Sequence, residues 1–410
     1  MSRCCHDENL RSIDDALQQI FSLAHRLTGS EKVATSQALG RVLAEPVSSQ
    51  VNVPPWANSA MDGYCLRLGD WNHGQVLPIS QRIPAGVWPD PLEKGTAARI
   101  FTGAPLPGWA DTVVMQEDCV EIDGKLCLRD VQVVRGQHIR AAGQDIRAGT
   151  TVLLAGTRLG PAHLGVIASV GHAEVRVVLP LKVAIISTGD ELVMPGTPLP
   201  KGKIYNSNGS TLEGLLTALG CKTHNYGIIA DTPEATATTL LKAADECDVI
   251  IATGGVSVGE EDHIKTQVEA LGQLHTWKLA IKPGKPFALG EVKNVPFLGL
   301  PGNPSAVIVT FSLLARPFLL LCMGVTEVTP LRLPIRSGLA AAKPRKRTEF
   351  LRVSVIPGAD GQPEAVLAGN QSSGVLSSAC HTSGLLVIPA GHIRQPGDIL
   401  DFIPLSSVFN

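Results

Sequence analysis

The sequence has almost no surplus charge. Its 410 residues carry 35 Lys and Arg against 37 Asp and Glu, a net of −2. That balance excludes a protein whose main work is to coat nucleic acid or an anionic membrane. Charge of either sign is sparse at 18%, against roughly 25% in average domains, and aromatics are only 4%. The nine cysteines are odd in number and none forms a CxxC pair, so neither a disulfide framework nor a zinc site is indicated. The one dense group of metal-ligand types, Cys4-Cys5-His6, has no matching second half. The first residues lack the basic-then-apolar build of a signal peptide, which makes the cytoplasm the expected location. The most apolar stretch, Ala306 to Val325, is interrupted by Arg316-Pro317, which argues against a membrane span. Walker A and GxGxxG patterns are absent.

What is plentiful is turn chemistry. There are 41 glycines and 29 prolines, about a sixth of the chain, above the roughly 12% of average usage. With 44% apolar residues the chain can bury several cores, and its length suggests two to four domains at ~150 residues each. Leu10, Ile13, Leu17, Ile20, Phe21, Ala24 and Leu27 fall at helical spacing, predicting an amphipathic helix. A Pro/Gly-rich region from Val53 to about Gly149, with short runs such as Ala98–Phe101 and Asp111–Met115, reads as a small β-rich domain. It is expected to be an insertion, with residues 150–178 packing against the first helix. From Leu181 strands and helices alternate: Lys182–Ile186, Thr211–Leu219, Thr223–Ile229, Pro233–Ala244, Val249–Ala252, Asp262–Leu271, Pro296–Leu300 and Ser305–Leu321. This rhythm predicts an open, largely parallel sheet with helices on both faces. After Pro330 the pattern is all-β (331–335, 348–356, 364–367, 384–388 and 398–402), a small barrel or sandwich.

The chemistry-bearing residues fall where the α/β strands end, the edge at which such sheets bind ligands. Ile186 is followed by Ser187-Thr188-Gly189-Asp190-Glu191, Ile229 by Asp231, Ile251 by Thr253-Gly254-Gly255-Val256-Ser257-Val258-Gly259-Glu260-Glu261-Asp262, and Leu300 by Pro301-Gly302-Asn303-Pro304. One glycine loop alone is a tight turn; several on one sheet edge point to anion binding through exposed amides. Glu191, Asp231 and Asp262 among such amides suit a hard cation such as Mg²⁺ bridging to phosphate, although Asp231 and Asp262 taken singly also read as helix N-caps. Lys278, Lys282 and Lys285 lie in one strip stiffened by Pro283 and Pro286, either a site for a multiply charged anion or an edge strand guarded by lysines. A second basic run, Lys343, Arg345, Lys346, Arg347 and Arg352, reads by composition as a solvated turn. Gly255-Val-Ser257-Val-Gly259 matches the GxSxG nucleophile elbow, but no HGGG-type segment precedes it.

Taken in order, these motifs resemble the MoeA family, the molybdopterin molybdenumtransferases of molybdenum-cofactor synthesis. The matching stretches are Asn58–Tyr64 (NSAMDGY), Ile100–Pro105, Val113–Glu117, Gly143–Asp145, Ser187–Glu191, Thr253–Gly259, Trp277–Pro286 and Gly299–Pro304, with Arg352 and Gln371–Ser373 beyond Pro330. The resemblance implies four parts: an N-terminal mixed domain (1–50 with 146–178), a β-rich lid (51–145), a MogA-like doubly wound α/β domain (179–328) and a C-terminal β-barrel (329–410). It implies a homodimer with the lid of one subunit over the site of the other, contact with the MogA-type adenylyltransferase, and no nucleic-acid or membrane partner. The activity implied is insertion of molybdenum from molybdate into adenylylated molybdopterin, with AMP released and Mg²⁺ required.

By resemblance the reacting groups are Asp62, Thr102, Asp145, Glu191, Asp231, Asp262, Lys278, Lys282, Arg352 and Ser373. Glu191, Asp231 and Asp262 would hold Mg²⁺. Thr188, Gly189, Gly254, Gly255, Ser257, Gly259, Lys285, Pro301, Gly302, Asn303 and Pro304 would contact the pterin nucleotide. The sequence departs from its relatives at Arg140-Ala-Ala-Gly-Gln144 and Tyr205-Asn206, where more charge is usual. Two rival functions are an adenylyltransferase acting one step earlier and a scaffold like the gephyrin E domain. The lid motif Met61-Asp62-Gly63 and the barrel argue against the first, and the lack of a long linker against the second.

Overall fold

A computed structural model describes residues 10–26, 29–255 and 263–409. The central layer is a seven-stranded sheet with spatial order 10–11, 272–279, 286–292, 295–300, 249–253, 182–188, 222–229. The last four of these strands are mutually parallel. Strand Lys182–Thr188 shows why. Val183 and Ile185 enter one apolar core, while Ala184 and Ile186 enter a second on the other face. Val249 and Ile251 divide from Ile250 and Ala252 in the same way. Strands buried on both faces need helices on both sides. Helix Ser207–Leu219 covers one face with Leu212, Leu216 and Leu219, and helix Pro233–Glu246 covers the other with Thr236, Leu240 and Ala243.

The sheet is less parallel than the alternation suggests. Gly272–Leu279 and Pro286–Val292 form an antiparallel pair, and the second runs antiparallel to Val295–Leu300. A short connection of this kind can only reverse the chain. Leu10–Arg11 adds a parallel edge to Gly272–Leu279.

The amphipathic helix forms over Ile13–Leu23, with Ser12 Oγ accepting from the Asp15 N–H at 3.0 Å. It does not enter the small core that residues 150–178 help to build. Its buried Ala16 and Ile20 join Leu181, Phe311 and Leu319 of the α/β core, because the preceding strand ties it to that sheet. Residues 29–50 and 146–178 share a separate small core of Leu43, Val47, Leu159, Ile167 and Val177, with strand Ser30–Ala34 paired to Glu174–Val178. The chain leaves this core and returns to it at the Val53–Ile146 bridge. Between these points lies a six-stranded β sheet, order 112–115, 63–66, 97–100, 77–83, 125–128, 119–122.

The apolar stretch after Pro304 is a continuous helix, Pro304–Cys322, 94% buried inside the protein. Arg316-Pro317 does not break it, because Phe311–Ala315 widens into a π-helical turn just before the proline. Beyond it, strands 348–357, 363–367, 333–337, 399–404 and 384–388 pair in that order, and the last closes back on the first. The result is a five-stranded barrel around Ile335, Val353, Ala365, Leu386 and Phe402.

Candidate functional site

Strands Lys182–Thr188, Val249–Thr253 and Val295–Leu300 end level with one another: Ser187 pairs with Thr253, and Thr253 with Leu300. A cleft of about 1010 Å³ opens above these ends. Its floor is made by Thr188, Gly254, Gly255 and the Pro301–Pro304 turn, and its far wall by Lys282–Pro286, Arg347 and the barrel loop Asn370–Gly374.

The floor is tightly braced. Asn208 Nδ2 donates to Thr253 Oγ1 at 3.0 Å and to the Gly302 carbonyl at 2.7 Å, and Thr253 Oγ1 donates to the Pro301 carbonyl at 3.2 Å. Gly254 has φ +84, and a Cβ there would lie 2.5 Å from the Thr188 carbonyl oxygen. The position therefore accepts only glycine, and its backbone stays bare towards the cleft. Ser187 Oγ, Thr188 Oγ1 and Asn208 Oδ1 are buried with no hydrogen-bond partner. A buried polar atom without a partner is costly, so this floor is built with unused bonding capacity.

The far wall carries the positive charge. Ile281 pairs with Thr348 and Lys282 with Glu349, so the basic strip is stitched to the barrel. Lys282 Nζ lies 2.9 Å from Glu349 Oε1. Arg347 Nη1 donates to the Ile281 carbonyl at 3.3 Å. The turn between the lysines packs closely on the core helix: Gly284 has φ +102, and a Cβ there would lie 2.6 Å from Thr310 Cγ2. The barrel loop is docked on the same helix, where the Ser305 N–H donates to the Ser373 carbonyl at 3.0 Å and Ser305 Oγ donates to the Val375 carbonyl at 2.6 Å.

The cleft thus gathers Thr188, Glu191, Gly254, Gly255, Lys282, Lys285, Pro301, Gly302, Asn303, Pro304 and Ser373 of the expected residues. Gly189 adjoins it and packs directly against the Glu191 carboxylate. Other expected residues stand elsewhere. Lys278 is exposed on strand Gly272–Leu279 and does not line the cleft. Arg352 is 2% exposed. Its Nε donates to Ser378 Oγ at 2.7 Å, and its Nη2 donates to the Asn370 and Ser372 carbonyls at 2.9 and 3.0 Å. Burial pushes its pKa down from the ordinary value. It shapes the loop that bears Ser373 from behind, and it is no part of a solvated turn.

Asp231 follows the edge strand Lys222–Ile229 but is not in the cleft wall. Nor does it cap the next helix: Thr232 does, its Oγ1 accepting from the Ala235 N–H at 3.3 Å. Ser257, Gly259 and Asp262 lie outside the described residues. Among the described residues Glu191 is therefore the one carboxylate lining the cleft, and no group of three or more metal-ligand side chains is assembled. Of the expected trio, Glu191 lines the cleft and Asp231 does not, while Asp262 is among the residues not described. Asp62, Thr102 and Asp145 belong to the inserted β domain and line no part of this cleft. Asp62 and Thr102 meet: the Thr102 N–H and Oγ–H both donate to Asp62 Oδ1 at 2.7 Å, and these bonds, the backbone one first, hold the Asp62 carboxyl below its usual pKa. Asp145 borders a separate exposed hollow with Gly143, Gln144 and Arg147.

Two residues of the cleft escape sequence reasoning. Arg347 sits in a five-cation run that composition assigns to solvent. Asn208 follows a helix cap, Asn206, whose Oδ1 accepts from the Gly209 N–H at 3.0 Å, and reads as part of that cap.

Fold and site together define a multi-domain α/β protein with a cleft at its sheet edge, lined by glycine turns and by Lys282, Lys285 and Arg347. Residues 11–171 match the MoeA N-terminal region (domains I and II), 184–320 the probable molybdopterin binding domain, and 335–405 the MoeA C-terminal region (domain IV). The molybdopterin molybdenumtransferase of Haemophilus influenzae is 36% identical over 386 residues, covering 92% of this chain and 94% of its own. The protein of the same name from a Nostoc species is 36% identical over 406 residues, covering 95% and 93%. A crystal structure of the molybdopterin biosynthesis MoeA protein from Pyrococcus horikoshii superposes with a TM-score of 0.76 at 30% identity, covering 98% of this chain and 99% of that one. The chain belongs to the MoeA family.

Proposed function

We propose that this protein is a molybdopterin molybdenumtransferase of molybdenum-cofactor synthesis, which takes molybdenum from molybdate onto adenylylated molybdopterin and releases AMP. The observation that carries the reading is the cleft itself. Glycine turns and Thr188, whose buried hydroxyl has no partner, form its floor, and Lys282, Lys285 and Arg347 its far wall. Its volume stands at the upper end of the roughly 300–1,000 Å³ usual for small-molecule sites, which suits a pterin joined to a nucleotide. Glycine-loop amides favour phosphate oxygens, while lysine, arginine and the Ser373 hydroxyl favour a tetrahedral oxyanion.

Mg²⁺ fits the donors present. It is usually held by one or two carboxylates, several waters and substrate phosphates, and Glu191 supplies such a carboxylate on the cleft wall. When bound, the ion neutralises charge on the phosphates. The chain's own part is positioning: the floor orients the nucleotide, the far wall orients the oxyanion, and the barrel loop closes the end. Asp262 is a second candidate carboxylate for the ion.

The same proposal makes the protein a cytoplasmic homodimer supplied by a MogA-type adenylyltransferase. Supporting the dimer, the lid pair Asp62–Thr102 lines no part of its own subunit's cleft. The lid also exposes Trp88 and Trp109 (69% and 71%), with Trp56 packed edge-on to Trp88 at 5.2 Å. Such large exposed aromatics are typical of interfaces.

The test is to incubate the purified protein with adenylylated molybdopterin and Mg²⁺, with and without molybdate, and to follow AMP. Molybdate-triggered AMP release is expected. Formation of adenylylated product from molybdopterin and ATP instead would assign the earlier step, and no turnover of either kind would leave a scaffold. In the same assay Asp262→Ala at an unchanged rate would remove Asp262 from the chemistry.

A further inference from the structure

The three cations of the cleft are not equivalent. Lys282 is paired with Glu349 at 2.9 Å, and that carboxylate is only 11% exposed. The strand pairing that sets Lys282 opposite Glu349 fixes this ion pair in the backbone. A buried carboxylate stripped of its partner is strongly unfavourable, so Lys282 is committed to Glu349 and its charge is largely cancelled before any ligand arrives.

Arg347 is differently placed. One Nη1 bond to the Ile281 carbonyl anchors its guanidinium against the basic strip. Among the described residues nothing accepts from its Nε or Nη2, and the side chain lines the cleft with no carboxylate bonded to it. A guanidinium held at one corner with its remaining edge free presents a planar fork, the geometry that engages two oxygens of a tetrahedral oxyanion at once.

We propose that Arg347 is the bidentate oxyanion-binding residue of this cleft, and that Glu349 acts as a built-in counter-charge which holds Lys282 and lowers the affinity for anions. The proposal rests on the polyanion reading of the cleft given above. The oxyanion is either molybdate or a nucleotide phosphate, which share the tetrahedral geometry and negative charge that the fork recognises. Glu349 is a positioning residue, since it reaches the ligand only through Lys282.

Isothermal titration of the full-length protein with sodium molybdate and, separately, with AMP tests this. Arg347→Ala weakens one of the two ligands at least about tenfold, the scale of a charge-assisted bond. Arg347→Lys, which keeps the charge and loses the fork, falls between. Glu349→Gln changes affinity in the opposite direction and tightens the same ligand. A loss confined to molybdate puts Arg347 on the incoming oxyanion; a loss confined to AMP puts it on the nucleotide phosphate. Circular dichroism checks each variant's fold. Should Arg347→Ala be unstable, Arg347→Lys and Glu349→Gln still carry the test through their opposite signs. Unchanged affinity for both ligands in the Arg347 variants, with the parent protein binding normally, overturns the proposal for Arg347. Unchanged or weakened binding in Glu349→Gln overturns it for Glu349. A parent protein that binds neither ligand overturns the polyanion reading of the cleft instead.

Discussion

Asp62 and Thr102 show what a single contact decides. Both donors of Thr102 converge on one carboxylate oxygen, so the charged form is favoured and the pKa is lowered. A carboxyl whose folded pKa is depressed stabilises the protein above its unfolded pKa. That contribution is lost as pH falls through the folded value. Thr102→Val removes the hydroxyl donor but keeps the amide. It moves the Asp62 titration upward, as read by NMR of the side-chain carboxyl, and an unmoved titration would mean that the hydroxyl bond is not formed in solution. This pair was legible in part: the motif Asn58–Tyr64 marks Asp62 as chemical, but nothing in the spacing joins it to Thr102. Arg347 was not legible, because five cations within ten residues carry no sign of which one faces a cleft. Only the pairing of Ile281 with Thr348 places it there.

The helix Pro304–Cys322 poses the question at the level of an element. Its run was readable as one helix over Ser305–Leu321, but the way it passes Arg316-Pro317 was not, since proline in a regular turn clashes with the carbonyl four residues back. The π-helical turn resolves the clash: the Arg316 N–H bonds the Phe311 carbonyl, five residues away, and the widened turn accommodates the ring. Arg316 is buried within the core, where burial pushes its pKa down to about 10, so it stays charged at neutral pH. It donates to the carbonyls of Val408 at 2.9 Å and of Val328 and Ser407 at 3.1 Å. Arg316→Met fills the space but leaves these three carbonyls without a donor. At roughly 1–3 kcal/mol for a buried unsatisfied group, the variant should lose about 3 kcal/mol or more in urea unfolding, and a loss under about 1 kcal/mol would show that water replaces the donors. The first helix teaches the same lesson differently. An amphipathic stripe says which face is buried but not against what. Ala16 and Ile20 went to the α/β core because the two-residue strand before them delivered the helix there.

For the whole molecule, the order of architectures was readable in outline, because strand–helix alternation and an all-β tail are long-range patterns. The antiparallel pair Gly272–Leu279 and Pro286–Val292 was legible only as one of two alternatives, since lysines framed by prolines suit an anion site as well as an edge strand. The proposed shared site makes a prediction at this scale. Subunits carrying Asp62→Ala are mixed with subunits carrying Lys282→Ala, each mutant alone being inactive. If lid and cleft come from different subunits, random re-pairing restores one intact site in each mixed dimer, about a quarter of the full activity by two-fold symmetry. No recovery, with mixed dimers verified by mass spectrometry, places lid and cleft in one subunit.

The stretch from Trp277 to Phe287 belongs to two sheets at once. Its ends pair with each other inside the α/β layer, and its middle pairs with the barrel. Barrel and α/β layer cannot separate without loss of that shared wall, so a single cooperative transition for the two is expected in scanning calorimetry, and two resolved transitions would show that the wall does not couple them. Any ligand seated against that wall raises the melting temperature of both together.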